Sequence, residues 1–209
     1  MNKHRTAASI GVAPKGGAVA AYTADGSFGK TVEIDLTRAS PPDKSYSADL
    51  AGAVYENGVL KLLFGQASRN GGVRSLIEIS MSPVSVIQMI NSLNKIVNPS
   101  ILEILERIGE SNRDLTEFDE DPKEVARLKA NMVMIGLSGQ EACLQFFDAD
   151  AFAMKKLQQT GKSSSDSVVG VVRVDTQTAL IPTLISKLRE LASQFPAQTR
   201  SFVEVENGI

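Results

Sequence analysis

The sequence lacks tryptophan and contains a single cysteine and a single histidine among its 209 residues. Because Cys143 has no second cysteine to pair with, an intrachain disulfide is excluded, which is typical of a protein from a reducing cytoplasm. The same scarcity of cysteine and histidine excludes a structural zinc site of ordinary composition. Aromatic residues make up only 5% of the chain, so the core has to be built mainly from aliphatic side chains.

Long apolar runs and a surplus of positive charge are also absent. No stretch approaches the roughly 18 apolar residues that a membrane-spanning helix requires, and no apolar segment of signal-peptide length follows the basic N-terminus. The formal net charge is −2, whereas a general nucleic-acid binder usually carries a basic surplus. We therefore expect a cytoplasmic protein that does not act at a membrane, and the charge balance argues against nucleic acid as its partner.

The N-terminal region, residues 1–46, is rich in alanine, glycine, serine, threonine and proline. Within it, the alternating apolar residues of "KTVEIDL" predict a half-buried strand. The preceding segment "AVAAY" can pair with this strand across a turn that contains Asp25 and Gly26. We assign residues 1–46 to an N-terminal tail that can form a β-hairpin, with the first dozen residues as a mobile end.

Residues 47–108 predict three strands followed by a helix. The strands "ADLAGAVY", "VLKLLFGQ" and "VRSLIEISM" are separated by turns that contain asparagine and glycine. Ser82 is a good helix N-cap and Pro83 suits the first helical position. Apolar residues then recur at helical spacing as far as Val97, and a short helix, "ILEILERIG", follows. The unit is β-β-β-α.

The same order of elements recurs after an acidic connector, residues 109–128. Residues 129–195 contain the strands "ANMVMIGL", "EACLQFFDA" and "VVGVVRV" and then a helix, predicted over 177–192. Asp175 or Thr176 can cap this helix. Residues 196–209 form a C-terminal tail.

Pro182 lies inside the second predicted helix, where the first helix has no proline. Proline lacks the N–H group that an interior helical hydrogen bond needs, and its ring clashes with the preceding turn. We expect it to kink the helix or to delay its start.

The two units can be aligned with each other. The first hairpins coincide after a shift of 82 residues, and the third strands and helices after a shift of 95. The coinciding pairs are Ala48 with Ala130, Asp49 with Asn131, Leu62 with Leu144, Phe64 with Phe146, Ile79 with Val174 and Leu93 with Leu188. We favour an internal duplication, with chance similarity of two β-β-β-α units as the alternative. Phe64 and Phe146 should then occupy equivalent core positions.

We therefore predict an α+β fold. It consists of two β-β-β-α repeats with antiparallel sheets and helices packed on one face, preceded by a short N-terminal β segment. The strands within each repeat must be antiparallel, because hairpin turns of a few residues cannot return a parallel strand.

The first unit resembles the bacterial domain of unknown function 3467 family. That family runs from a Tyr-Ser strand start, through a hairpin that ends on phenylalanine, to a Ser-Pro or Thr-Pro helix start. Tyr46-Ser47, Phe64 and Met81-Ser82-Pro83 hold those places here. The resemblance implies a tandem of two such domains, with the second copy more divergent, and it implies a fold without an assigned chemistry.

The polar residues predict no catalytic, cofactor or metal site. His4 lies in the predicted tail, without the ordered third group that a Ser-His-Asp or Cys-His arrangement requires. Cys143 lies in mid-strand, where a packed thiol is the simpler interpretation and a reactive one would need a nearby cation. The segment "TGKSSSDS" ends like a phosphate-binding loop, but Lys156 stands where that loop requires its first glycine.

Two groups of charged residues have ordinary explanations. The connector carries an acidic run of Asp114, Glu117, Asp119, Glu120 and Asp121. It lacks the alternating ligands and central glycine of a calcium loop, so a solvated linker is the simpler interpretation. Lys61, Arg69 and Arg74 near the first hairpin could contact phosphate, but three scattered charges are typical of a protein surface.

Three functional hypotheses remain. The first is a non-enzymatic interaction or assembly protein that binds another protein or its own copies. It rests on the strands "ADLAGAV" and "ANMVMIGL", which carry few charges and would pair with another chain if they lay at a sheet edge. The second is a chaperone-like binder of extended polypeptide, which rests on analogy alone. The third is an enzyme or small-ligand-binding protein that uses carboxylates and backbone groups.

Overall fold

The computed structural model describes residues 17–22, 28–34, 39–68, 72–96, 124–149 and 168–197. The fold is α+β, as predicted. Its elements are β1 (Gly17–Tyr22), β2 (Phe28–Ile34), β3 (Ser45–Ala48), β4 (Leu50–Glu56), β5 (Val59–Ala67), β6 (Val73–Met81), α1 (Pro83–Ile96), β7 (Glu124–Lys129), β8 (Met132–Ser138), β9 (Glu141–Ala149), β10 (Val168–Gln177) and α2 (Leu180–Ala192).

The strands form one hairpin and two four-stranded sheets. β1 and β2 pair antiparallel, which confirms the predicted N-terminal hairpin. Sheet 1 has the order β4-β5-β6-β7, and sheet 2 has the order β3-β10-β9-β8. Neighbouring strands within each predicted repeat pair antiparallel, so that expectation is confirmed as well.

The two halves of the chain, β3 to α1 and β7 to α2, exchange strands. β3 comes directly before β4 in the chain, yet it pairs with β10 in sheet 2. In the same way β7 comes directly before β8, yet it pairs with β6 in sheet 1. Both exchanged pairings are parallel, which is possible because no short hairpin joins the paired strands. Each sheet is therefore completed by the opposite half.

The exchange has the same register in both sheets. Ser45 lies opposite Arg173 in sheet 2, and Arg127 lies opposite Glu78 in sheet 1. Residue 127 is residue 45 shifted by 82, and residue 173 is residue 78 shifted by 95. The sequence alignment of the two units and the two strand registers therefore agree, which supports the internal duplication.

An Ala-Asx pair forms each corner where the chain leaves one sheet for the other. Asp49 N donates to Gly65 O at 2.9 Å, and the equivalent Asn131 N donates to Phe147 O at 3.0 Å. The Asn131 carboxamide also makes two hydrogen bonds with the backbone of Ala149, at 2.8 and 2.9 Å. These side chains hold the turned backbone to the neighbouring strand, as Asn and Asp commonly do at turns.

The halves share one hydrophobic core. The inner faces of both sheets and the apolar sides of both helices belong to a single cluster of buried residues. Phe64 and Phe146 are both fully buried in it, and their ring centroids are 5.9 Å apart. The helices meet where Arg189 Nη2 donates to Asn94 Oδ1 at 2.8 Å. Both contacts join aligned positions, as expected near an approximate twofold axis.

Tyr46 ties the exchanged strand β3 back to sheet 1. Its hydroxyl donates to Ser75 O at 2.8 Å and lies 2.8 Å from Ser75 Oγ. Burial raises the pKa of the Tyr46 phenol above its ordinary value of 10.0. The neutral phenol is therefore the form that the folded state favours, and its contribution to stability is lost only as the pH rises through that raised value.

Several local predictions are confirmed. Asn57 and Gly58 both have positive φ angles, 52° and 78°, as a two-residue hairpin turn with Asn-Gly requires. Ser82 caps α1, because its Oγ accepts a hydrogen bond from Ser85 N at 3.2 Å. Pro182 lies in the first turn of α2, where an N–H has no intrahelical partner, so the proline delays the helix start without breaking a helical bond.

Other predicted boundaries are corrected. The second helix has Ala179 at its N-cap position and no side-chain cap, because Thr176 and Asp175 still belong to β10. The connector assigned to residues 109–128 ends too late, since β7 begins at Glu124. The N-terminal tail also ends too late, since β3 begins at Ser45. β7 was missed because it is polar and exposed along most of its length, and β3 was not separated from β4 because the two follow each other directly in the sequence.

Other sequence predictions concern residues outside the described part of the chain. They are the mobile first dozen residues, the short helix "ILEILERIG", most of the acidic connector, the long second hairpin loop and the C-terminal tail after residue 197.

The segment before β3 crosses the outer face of sheet 2. A Cβ atom at Gly170 would lie 2.5 Å from Pro42 N and 2.6 Å from Pro42 Cα, so this glycine permits a close backbone contact. Ala39 of the same segment packs on a buried cluster that includes Phe147. The outer face of sheet 2 is thus partly covered by the chain itself.

We expect Gly170→Ala to lower the free energy of unfolding by about 1–3 kcal/mol, because the added methyl group would displace the backbone of Pro42. Gly136→Ala is the matched control, since nothing lies within 4 Å of a Cβ placed there. Urea denaturation of both variants tests this. Equal midpoints for the two variants would show that the Pro42 segment does not press on β10.

Candidate functional site

Most residues singled out for chemistry lie outside the described part of the chain. These are His4, Arg69, Lys156, the "TGKSSSDS" segment and the acidic run from Asp114 to Asp121. In the part that is described, no three histidine, cysteine, aspartate or glutamate side chains come together in a group that could hold a metal ion. None of the described helices has the length and apolar composition needed to cross a membrane.

Cys143 lies half-buried on β9, opposite Asp175 of β10. Gln145 Nε2 is 4.0 Å from its sulfur. Burial raises the pKa of the Cys143 thiol, and the nearby Arg173 opposes this effect only in part. The protonated thiol therefore predominates at neutral pH, and it is a weak nucleophile.

Four strands lie at the edges of the two sheets. β4 and β8, whose few charges would allow pairing with another chain at a sheet edge, do lie at sheet edges. Four of the seven residues of β4 are buried, and α2 lies against this strand. β8 has two buried residues, and β1 and α1 lie beside it. β3 is only four residues long. The remaining edge strand is β7, which sequence reasoning assigned mainly to the connector.

β7 is the most exposed of the four edge strands. Five of its six residues are exposed, and the sixth, Leu128, is partly buried against the shared core. It pairs with β6 along one side, from Ser75–Glu124 to Ser80–Lys129. No other described strand pairs with its second side. β7 therefore presents a row of backbone N–H and C=O groups that have no partner among the described strands.

The hydrogen-bond pattern identifies which backbone groups face this open side. Ala130 N donates to Ser80 O at 3.1 Å. In a parallel pair the bonds to one neighbour come from every second residue, so Ala126 and Leu128 bond to β6. The N–H and C=O groups of Val125, Arg127 and Lys129 point away from β6. In sheet 2 the equivalent residues of the exchanged strand bond to their neighbour. Arg173 N donates to Lys44 O at 2.9 Å, and Lys44 is equivalent to Ala126 in the alignment of the two units.

The outer face beside β7 carries a surplus of positive charge. Arg127 is 74% exposed, and its Nε lies 3.9 Å from Glu78 Oε2, too far for a hydrogen bond. Glu78 is shared with Lys61, whose Nζ lies 3.9 Å from Glu78 Oε1. Lys61 also donates to Glu56 at 2.9 Å, which lowers the pKa of Glu56. Exposed pairs of this kind are weak, so Arg127 remains available to another anion.

Apolar side chains continue this outer face. Leu50 and Val73 are buried in a small cluster, with Leu63 and Leu76 packed beside them. Val54 and Val125 are more open, at 39% and 38% exposure. The outer face of sheet 1 thus combines apolar side chains with the basic residues of β7.

No family model matches this chain, and no curated protein or solved structure matches it either. The resemblance to the domain of unknown function 3467 family stays a prediction.

Proposed function

We propose that this chain is a non-enzymatic interaction module that binds an extended segment of a partner protein by strand addition to β7. The observation that carries the proposal is the open side of β7, where the backbone groups of Val125, Arg127 and Lys129 face no other described strand. An extended segment can add there because main-chain hydrogen bonds provide affinity and alternate side chains provide specificity.

The architecture of the chain supports this mode of binding. Each sheet is already completed by a parallel strand from the opposite half, β7 on β6 and β3 on β10. The sheets therefore accept added strands at their edges with a regular register. A further strand on β7 would extend sheet 1 by the same pairing.

The outer face of sheet 1 can contribute to the binding energy. Val54 and Val125 would lose part of their exposure if a partner covered this face. Burial of apolar surface contributes about 25 cal/mol for each Å² removed from water. The chaperone-like hypothesis and the carboxylate-ligand hypothesis stay predictions, because no contact among the described residues favours either of them.

We expect Val125→Pro to abolish capture of a partner that the unchanged chain binds at fixed stoichiometry. Proline removes the N–H group of residue 125, which points to the open side, and leaves the bonds between β7 and β6 in place. Val125→Ala is the matched control, because it shortens the side chain and retains the N–H group. Both variants keep the charges of β7.

The measurement is affinity capture with the tagged full chain in its source cells, followed by quantitative mass spectrometry. The proposal requires the same partner with the unchanged chain and with Val125→Ala, and its loss with Val125→Pro. Circular dichroism establishes that the proline variant is folded. A partner that is retained by Val125→Pro, or the absence of any stoichiometric partner, contradicts the proposal.

A further inference from the structure

We infer that the segment added to β7 alternates acidic with apolar residues. This inference rests on the proposed strand addition and names the chemistry of the partner. Side chains of neighbouring strands stand beside one another on the same face of a sheet. The side chains that β7 presents on each face therefore specify what an added strand should carry.

On the outer face, β7 presents Val125, Arg127 and Lys129, and the last two carry the charge of this face. Among the described residues, Arg127 is paired with the distant, shared Glu78 and with no other anion. Lys129 lies opposite Ser80 of β6, which has no charge. Opposite charges on adjacent strands attract, whereas like charges repel. Carboxylates are therefore the matching side chains on the outer face of an added strand.

On the inner face, Ala126 and Leu128 follow Glu124 at the start of β7, and Leu128 is the residue of this face that is partly buried. Leu128 packs against the shared core. An added strand would place its inward side chains next to these two residues, at the border of the core. Apolar side chains are favoured there, because they extend the buried apolar surface.

The two basic residues of β7, Arg127 and Lys129, are not required for the exchange of strands between the two halves. β3 makes the same exchange in sheet 2 with the same register. At the positions equivalent to Arg127 and Lys129 it has Ser45 and Ser47. The fold thus forms an exchanged strand without these two charges, which supports a role for them in recognition.

Three synthetic peptides of equal length test the inference with the full chain. Their sequences alternate valine with glutamate, with serine or with lysine, and fluorescence anisotropy measures their binding. We expect the glutamate peptide to bind about tenfold more tightly than the serine peptide and the lysine peptide to bind more weakly still. The preference should shrink at high salt.

Two variants with the same change in net charge provide the comparison. Lys129→Glu should remove the preference for the glutamate peptide, whereas Lys44→Glu, which lies before β3 in sheet 2, should leave it unchanged. Val125→Pro should abolish binding of the glutamate peptide.

The outcomes separate the two proposals. Equal binding of all three peptides, with loss on Val125→Pro, overturns the charge inference and leaves strand addition standing. Binding of none of the peptides, or binding that Val125→Pro does not affect, overturns this inference and counts against strand addition as well.

Discussion

Truncation of Phe64 or of Phe146 to alanine should each lower the free energy of unfolding by about 3–5 kcal/mol. Both side chains are fully buried, and each closes the inner face of one sheet over the shared core. Removing either ring leaves a cavity that the surrounding strands and helices can fill only in part. Urea denaturation measures both losses, and midpoints that barely move would show that these rings are not core residues.

The two truncations should not be additive. The rings lie against each other, with centroids 5.9 Å apart and planes inclined by 57°. The double variant should therefore lose about 1 kcal/mol less than the sum of the single losses. Phe64→Ala combined with Phe147→Ala is the control, because Phe147 is equally buried but belongs to a separate cluster. That pair should be additive, and additivity for Phe64 with Phe146 would contradict the contact between the halves.

Much of the fold could be predicted from local patterns in the sequence. In β5 and β9 the large apolar residues Leu62 and Phe64, and Leu144 and Phe146, are two positions apart, so their burial on one face followed from the period of a strand. The Asn57-Gly58 turn and the Ser82-Pro83 helix start carry residue types that those backbone shapes favour. The strand period, the turn and the helix start each depend on residues that are close together in the sequence, so local patterns are enough to predict them.

The strand exchange could not be predicted from such patterns. β3 and β4 form one continuous strand-like stretch, and the chain turns between them at Asp49 without a proline or glycine. β7 is exposed on both faces and follows an acidic run, so it shows no alternation and resembles a connector. Pairing with a strand of the opposite half is a tertiary property. The alignment of Asp49 with Asn131 was the signal that could have indicated two equivalent corners.

The candidate site was missed for the same reason. The few charges of β4 and β8 drew attention to these two strands, but only the fold shows that α2 lies against β4 and that α1 and β1 lie beside β8. β7 carries Arg127 and Lys129 among its six residues, so in the sequence it resembles a charged connector. Its open side depends on which strands lie next to it, and no local pattern contains that information.

The exchange leads to a second prediction, which concerns the first half alone. Residues 44–110 contain β3, β4, β5, β6 and α1 but lack β7, so sheet 1 has no fourth strand and β3 has no sheet to join. Two copies can satisfy both needs if β3 of each copy pairs with β6 of the other. Small units of this size have little stability to spare, and the exposed core surface favours association. We expect this segment to dimerise, or to aggregate where the exchange fails, while the full chain does neither.

A substitution at the helix crossing distinguishes this dimer from other forms of association. In a symmetric dimer Asn94 of one copy should meet Asn94 of the other, at the place where Asn94 meets Arg189 in the full chain. Asn94→Asp should therefore weaken the dimer by bringing two carboxylates together, and salt should restore part of it. In the full chain the same substitution faces Arg189, so it should change stability by less than about 1 kcal/mol.

Size-exclusion chromatography with light scattering on residues 44–110 tests the strand-exchanged duplication most directly. The predicted result is a folded species with the mass of two copies, weakened by Asn94→Asp, beside a full chain that elutes at its own monomer mass. A folded, stable monomer of residues 44–110 would contradict the account, because it would show that the first half completes its sheet and core without a strand from another half.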